Sequence, residues 1–249
     1  MAALRVFITG GSSGLGAALA EHYLSHGAVV GTVSRHPGIG SNRLSAYGAD
    51  VADAAAMEQV AREFIAAHGL PDIVIANAGI SVGTDPALAS DLPVLERTLL
   101  TNVCGIANSF QPFMTLMRAR GNGVLVAIAS VAGIRGFAGS SAYSASKAAA
   151  ITWMESLRLE LRGSGLKVVT ICPGYIDTPM TRVNPYRMPF LLSAEEAARR
   201  IARAIERSSA YAVVPWQMAC VAALLHCLPR WLYDRLFARA PRKPRNLPT

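Results

Sequence analysis

The sequence predicts an α/β fold in which a single parallel sheet of about seven strands is doubly wound, with helices on both faces. Three observations carry this expectation. Short β-type runs alternate with longer helical patterns almost to the end of the chain. The run Ile73–Asn77 is apolar without interruption, which suits a strand covered on both sides. The chain has 249 residues, 52% of them apolar, with no internal repeat and no Pro-, Gly- or Ser-rich linker, so one core is the simplest count.

The elements follow in order. Leu4–Thr9 reads as the first strand, Leu15–His26 as a helix and Ala28–Ser34 as the second strand. Leu44–Ala49 is a candidate third strand, Ala54–His68 a helix and Ile73–Asn77 the fourth strand. One long helix is expected from Leu92 to Arg120, then a strand at Val124–Ala129, a helix over Ala142–Arg162 and a strand at Val168–Cys172. Ser193 with Glu196 forms a capping box that opens another helix, and Tyr211–Pro215 is the last strand. Pro179–Leu192 has three prolines among large apolar residues, too irregular for a helix and too apolar for a solvated loop, so it reads as a loop over a pocket. Residues 1–215 thus form the folded unit, and 216–249 an apolar and basic extension.

Charge is concentrated at one end. The formal balance is +8, and the last twenty residues hold six basic side chains and the single acid Asp234, so +5 of it lies there. A nearly neutral body argues against nucleic acid, because phosphate tracking needs basic side chains along a face. The first residues run straight into a strand with no secretory pattern, and the apolar run Trp216–Leu228 is short of the roughly 20 residues that span a bilayer. Cys104, Cys172, Cys220 and Cys227 form no C-x-x-C, which suggests reduced thiols in a cytoplasmic protein and no metal.

Thr9-Gly10-Gly11-Ser12-Ser13-Gly14-Leu15-Gly16 lies between the first strand and the first helix. Glycines there allow a tight turn and let backbone N–H groups approach a pyrophosphate at the helix N-terminus. The second strand ends in Val33-Ser34-Arg35-His36 with no acid to hold a ribose hydroxyl. The Arg35 guanidinium suits a 2′-phosphate, and the Ser34 hydroxyl can add to it, so NADP(H) is the expected cofactor.

Tyr143 and Lys147 stand four residues apart, on one face of the helix that begins there. A phenol with an ordinary pKa near 10 works poorly as an acid or base at neutrality unless a cation stabilises its phenolate. With 7 Tyr in 249 residues and only 3 Lys beside 21 Arg, chance supplies about 0.08 such pairs. Ser130 precedes Tyr143 by thirteen residues, at the end of a strand where open parallel sheets bind ligands.

These residues, with Asn77-Ala78-Gly79 after the fourth strand, Asn102 in the long helix, and Pro173-Gly174 followed by Thr178, resemble the short-chain dehydrogenase/reductase family over nearly the whole chain. The resemblance implies a Rossmann-type domain in which Tyr143 gives or takes a proton and Ser130 orients a carbonyl. Lys147 would hold the nicotinamide ribose and lower the Tyr143 pKa, and Asn102 would hold a water in the proton relay. It further implies a cofactor lying along Gly10, Ser12, Ser13, Gly14, Leu15 and Gly16. Asp50 and Val51 would sit near the adenine, with Asn77, Ala78 and Gly79 in support and Pro173, Gly174, Ile176 and Thr178 toward the nicotinamide. Asn77 and Asn102 also have a structural reading, as ties between strands and helices.

The implied reaction interconverts a ketone and a secondary alcohol, in the reducing direction with NADPH. Ser130, Ile134, Phe137, Tyr143, Tyr175 and Met180, with Met188, Phe190 and Leu191 nearby, suggest a pocket for an apolar or elongated substrate. Arg135, Arg182 and Arg187 could meet an anionic head group. The tail combines Trp216, Leu224, Trp231 and Phe237 with arginines, a composition that suits an anionic membrane surface, the inner face of the membrane for a cytoplasmic protein, or packing on its own domain or across a homodimer or homotetramer interface. Its apolar extension and the Gly10-Gly11-Ser12-Ser13-Gly14 spelling are similar to those of lipid-ketone reductases such as the 3-ketosphinganine reductases. A non-catalytic NADP-binding sensor or scaffold that docks through the tail is the alternative.

Overall fold

The computed structural model describes residues 3–245. The chain runs β1 (Arg5–Thr9), α1 (Gly14–Ser25), β2 (Val29–Ser34), β3 (Leu44–Gly48), α2 (Ala54–His68) and β4 (Ile73–Ala76). It continues through α3 (Leu92–Leu99), α4 (Gly105–Arg120), β5 (Gly123–Ile128), α5 (Ser141–Glu160) and β6 (Leu166–Pro173). After β7 (Ile176–Asp177), α6 (Pro179–Arg182), β8 (Leu192–Ser193), α7 (Ala194–Glu206) and β9 (Tyr211–Val214), it closes with α8 (Trp216–Cys227) and α9 (Arg230–Phe237). Seven strands form one sheet in the order β3-β2-β1-β4-β5-β6-β9, and every pairing is parallel. The doubly wound Rossmann-type sheet is therefore as the sequence indicates.

The two faces divide by the strand period of two. Val6 and Ile8 of β1, with Val126 and Ile128 of β5, pack under α1 and α7 through Leu15, Leu19, Ile201 and Ile205. Phe7, Val74 and Leu125 point to the other face, against Phe64 of α2, Phe110 and Phe113 of α4, and Met154 of α5. Phe7 is fully buried, with its ring 5.3 Å from that of Phe64 and 4.8 Å from that of Phe113. Phe7→Ala should cost about 3–5 kcal/mol of stability, read as a lower urea midpoint at unchanged slope; a shift below about 1 kcal/mol would contradict this packing.

Two expectations need correction. The helix foreseen from Leu92 to Arg120 is broken: α3 ends at Leu99, a π-helical turn covers Leu100–Cys104, and α4 begins at Gly105. The break falls where Asn102, fully buried, turns its amide onto another part of the chain. Within Pro179–Leu192, Pro179–Arg182 forms the short helix α6, because Thr178 and Thr181 make a reciprocal capping box around Pro179, and Leu192 pairs with Ile176 in β8.

The tail folds back on the domain. Tyr233 is buried and its hydroxyl donates to the Gly136 carbonyl at 2.7 Å, while Arg135 donates to the Leu228 carbonyl at 2.7 Å and lies over the Tyr233 ring. Trp216, Leu224, Trp231 and Leu236 stay exposed. Among the described residues no helix is long and apolar enough to cross a membrane.

Candidate active site

Because the sheet is parallel, β1, β4, β5 and β6 all end at one edge, and the strand order reverses beside β1, which opens a crevice there. A cleft of about 470 Å³ occupies this edge. The glycine loop forms one wall. Gly10 has φ +69°, and a Cβ on Gly16 would lie 2.1 Å from the Gly10 carbonyl oxygen and 2.5 Å from Asn77 Nδ2. Asn77 in turn donates to the carbonyls of Thr9 and Gly10 at 3.0 and 3.2 Å, so β4 fixes the loop. Helix α1 starts with Ser13 as N-cap, whose side chain makes no capping bond, and its first turn holds no acid. Its N-terminal amides are left to an anion, so the residues present fit a dinucleotide pyrophosphate.

The far wall carries the ionisable groups. Ser130 follows β5, and its oxygen accepts the Ala132 N–H at 3.1 Å, which leaves its O–H free to donate into the cleft. Tyr143 lies in the first turn of α5 and Lys147 one turn on. Lys147 is only 4% exposed; its ammonium donates to the Ile128 carbonyl at 2.8 Å and stands 5.8 Å from the centre of the Tyr143 ring. Burial lowers the Lys147 pKa to about 8.

The same burial raises the Tyr143 pKa, with the Ser130 hydroxyl acting the other way. Removal of the phenolate from water is the largest influence on this phenol.

Every residue expected along the cofactor lines this one cleft: Gly10, Ser12–Gly16, Ser34, Arg35, Asp50, Val51, Asn77, Ala78, Gly79, Tyr143, Lys147, Pro173, Gly174, Ile176 and Thr178. Arg35 is exposed there and has no ion-pair partner among the described residues. Ser34 differs from expectation, since its hydroxyl donates to the His36 carbonyl at 2.8 Å and its proton is taken up by that turn.

Asn102 is not in the cleft wall. Its Oδ1 accepts from the Ile80 N–H at 2.8 Å, and its Nδ2 donates to the Ile80 carbonyl and to Ser146 Oγ, both at 2.9 Å. Ser146 then donates to the Tyr143 carbonyl at 2.8 Å. Asn102 therefore ties the segment after β4 to the start of α5, which is its structural reading.

The expected substrate pocket is brought together only in part. Ser130, Tyr143 and Met180 line the cleft, but Ile134, Phe137 and Tyr175 do not. Phe137 is turned to the tail, with its ring 6.5 Å from Tyr233 and 6.1 Å from Phe237. Tyr175 packs 6.4 Å from Tyr186, whose phenol burial pushes up to about 12. Two of the three arginines are also occupied: Arg135 serves the tail, and Arg182 is paired with Asp177 at 2.7 Å, while Arg187 is exposed and makes no ion pair among the described residues. Sequence reasoning missed Arg97 and Thr101, which line the cleft from α3 and the π-helical turn, and nothing in their spacing singles them out.

Residues 5–187 match the family described as short chain dehydrogenase. The chain belongs to the short-chain dehydrogenase/reductase family. As a member it is an oxidoreductase that interconverts a carbonyl and an alcohol with a nicotinamide cofactor. Among relatives of this short-chain dehydrogenase, an uncharacterized oxidoreductase of Myxococcus xanthus is 37% identical over 237 residues, 91% of this chain and 93% of that one. The cis-4-hydroxycyclohexanecarboxylate dehydrogenase of Sinomonas cyclohexanicum is 32% identical, covering 82% of this chain and 86% of that one. The solved structure of ElxO with NADP bound superposes with a TM-score of 0.75 at 22% identity, over 86% of this chain and 97% of that one, a likeness of fold.

Proposed function

We propose that this protein is an NADP(H)-dependent reductase that converts an apolar or lipid-like ketone into a secondary alcohol, with Tyr143 as the proton donor. The observation that supports this reading is the convergence of Ser130, Tyr143 and Lys147 on the cleft that the glycine loop opens. A nicotinamide dinucleotide bound there supplies the hydride. The Ser130 O–H hydrogen-bonds the ketone oxygen and holds it against the Tyr143 phenol. Tyr143 passes its proton to that oxygen as negative charge builds up on it. The Lys147 ammonium then stabilises the phenolate left behind. Asn102 is a positioning residue in this scheme, acting through Ser146 and the Tyr143 carbonyl.

Arg35 supports the choice of NADP(H), as a guanidinium free to make two bonds to the 2′-phosphate. NADPH should be preferred over NADH, and Arg35→Ser should raise the KM for NADPH by about tenfold or more while leaving that for NADH within about threefold. Equal use of both cofactors by the unaltered protein would overturn the NADP(H) assignment. A screen of acyl, steroid, sphingoid and aromatic ketones, followed by NADPH consumption, tests the substrate class. Met180 in the cleft favours an apolar chain. The exposed Trp216, Leu224 and Trp231 with Arg230 and Arg235 are the surface for the cytoplasmic homo-oligomer or peripheral membrane contact that the tail suggests.

A further inference from the structure

The tail does more than pack on the domain. Beyond α9 the chain runs as an extended strap over the loops after β4 and β5, and it is fixed at three places. Gly139, at φ +73°, leaves room for Arg242: a Cβ there would lie 2.8 Å from the Cβ of Arg242. The Gly83 N–H donates to the Pro244 carbonyl at 2.8 Å, and a Cβ on Gly83 would lie 2.1 Å from the Lys243 carbonyl oxygen. Arg245 grips the buried carboxylate of Asp91 with two bonds, at 3.0 and 2.6 Å. Two glycines and an acid of the body thus form a seat for the strap.

What the seat delivers is Lys243. Its ammonium donates to Ser81 Oγ at 2.6 Å and stands 5.6 Å from the centre of the Tyr143 ring. The chain has only three lysines beside 21 arginines, and two of the three stand at this one tyrosine. Ser81 follows Ile80, which lines the cleft. Lys243 and Ser81 are not themselves among its lining residues, and it is the Tyr143 ring, which is, that brings the ammonium to the cleft. No carboxylate pairs with Lys243 among the described residues: Asp91, the buried acid nearby, has its oxygens taken by Arg245, the Asp85 N–H and Ser90. Burial lowers the pKa of Lys243 to about 8, and no neighbouring charge offsets this. A partly buried cation whose one bond is to a neutral hydroxyl still lacks an anion.

We infer that Lys243 is an anion subsite of the substrate cleft, which selects ketones carrying a carboxylate or similar anion a few carbons from the reacting carbonyl. This rests on the catalytic reading of Tyr143, since the distance that matters is from the anion to the carbonyl that Tyr143 protonates. It narrows the substrate from an apolar ketone to an apolar keto acid. It also places the head-group cation in the tail, in contrast to Arg135 and Arg182, which are engaged elsewhere.

The test compares 3-oxohexanoate with its methyl ester, which keeps the carbonyl and the chain and removes the charge. Binding is measured by calorimetry in the presence of saturating NADP+ or NAD+, whose oxidised ring cannot reduce the ketone, so affinity is read without turnover. The acid should bind the unaltered protein about tenfold or more tightly than the ester. Lys243→Met should remove that preference by weakening the acid alone, and Lys243→Arg should keep part of it. Equal binding of acid and ester, no binding of either, or an equal loss of both in Lys243→Met would overturn the inference, the last marking a lysine that only seats the strap. A protein that holds the acid through Lys243 but reduces neither compound with the reduced cofactor would retain the subsite and lose the catalytic reading.

Discussion

Tyr143→Phe should lower the rate of ketone reduction by between about 10²- and 10⁴-fold while changing the affinity for the reduced cofactor by less than about threefold. The substitution removes one oxygen and keeps the ring that Lys147 and Lys243 approach to 5.8 and 5.6 Å. Nothing in the dinucleotide cradle depends on that oxygen: the loop is fixed by Asn77 on the carbonyls of Thr9 and Gly10, and the N-terminus of α1 lies on the opposite wall. The loss should appear in kcat and in kcat/KM alike, because the proton moves only in the transition state. Cofactor binding, followed by quenching of protein fluorescence, separates a dead site from a collapsed one. Turnover within tenfold of the unaltered protein would remove Tyr143 from the reaction. Lost turnover together with lost cofactor binding would mean that the phenol serves structure instead.

The parts of the molecule that were legible in the sequence are those whose causes lie close together along the chain. Alternation within β1 sends Val6 and Ile8 to one face and Phe7 to the other, and that period can be read without knowing the partners. The glycine loop and the Tyr143–Lys147 pair are local spacings, so their place at the sheet edge follows once the strands are found. What escaped depends on contacts between distant residues. The π-helical turn at Leu100–Cys104 is tied to the bonds of Asn102 with Ile80, and a helical period gives no sign of them. Phe137 and Tyr175 have the composition of a pocket lining, but α9 claims the first and Tyr186 the second. Lys243 donates to Ser81 across 162 residues, and a basic tail read by composition alone suggests a surface, not a site.

Lys147 should show the opposite signs in stability and in activity. Its ammonium is buried with one protein partner, the Ile128 carbonyl, and no acid. A pKa lowered from 10.5 to about 8 means that the folded state holds the charged form at a cost on the order of 3 kcal/mol. Lys147→Met keeps the length of the stem and removes the charge, leaving the Ile128 carbonyl without this donor at a cost of about 1 kcal/mol. The variant should therefore be more stable than the unaltered protein by about 2 kcal/mol at pH 7 in the absence of cofactor. The pH dependence gives the sign. Below about 8 both folded and unfolded states hold the proton, and the penalty is complete. Between about 8 and 10.5 the folded state has released it while the unfolded state still binds it, so the unaltered protein gains stability as the pH rises. The advantage of the variant should shrink through that window and turn above it into a deficit of about 1 kcal/mol, the lost bond to Ile128, as followed by urea midpoints from pH 6 to 11. Turnover should meanwhile fall by about 10²-fold or more, since the buried α5 cation that stabilises the Tyr143 phenolate is gone and only Lys243, at 5.6 Å from the ring centre, remains near it. Equal stability at every pH would mean that the charge is solvated and the site open to water. Full activity in the variant would mean that Tyr143 does not depend on Lys147 to give up its proton.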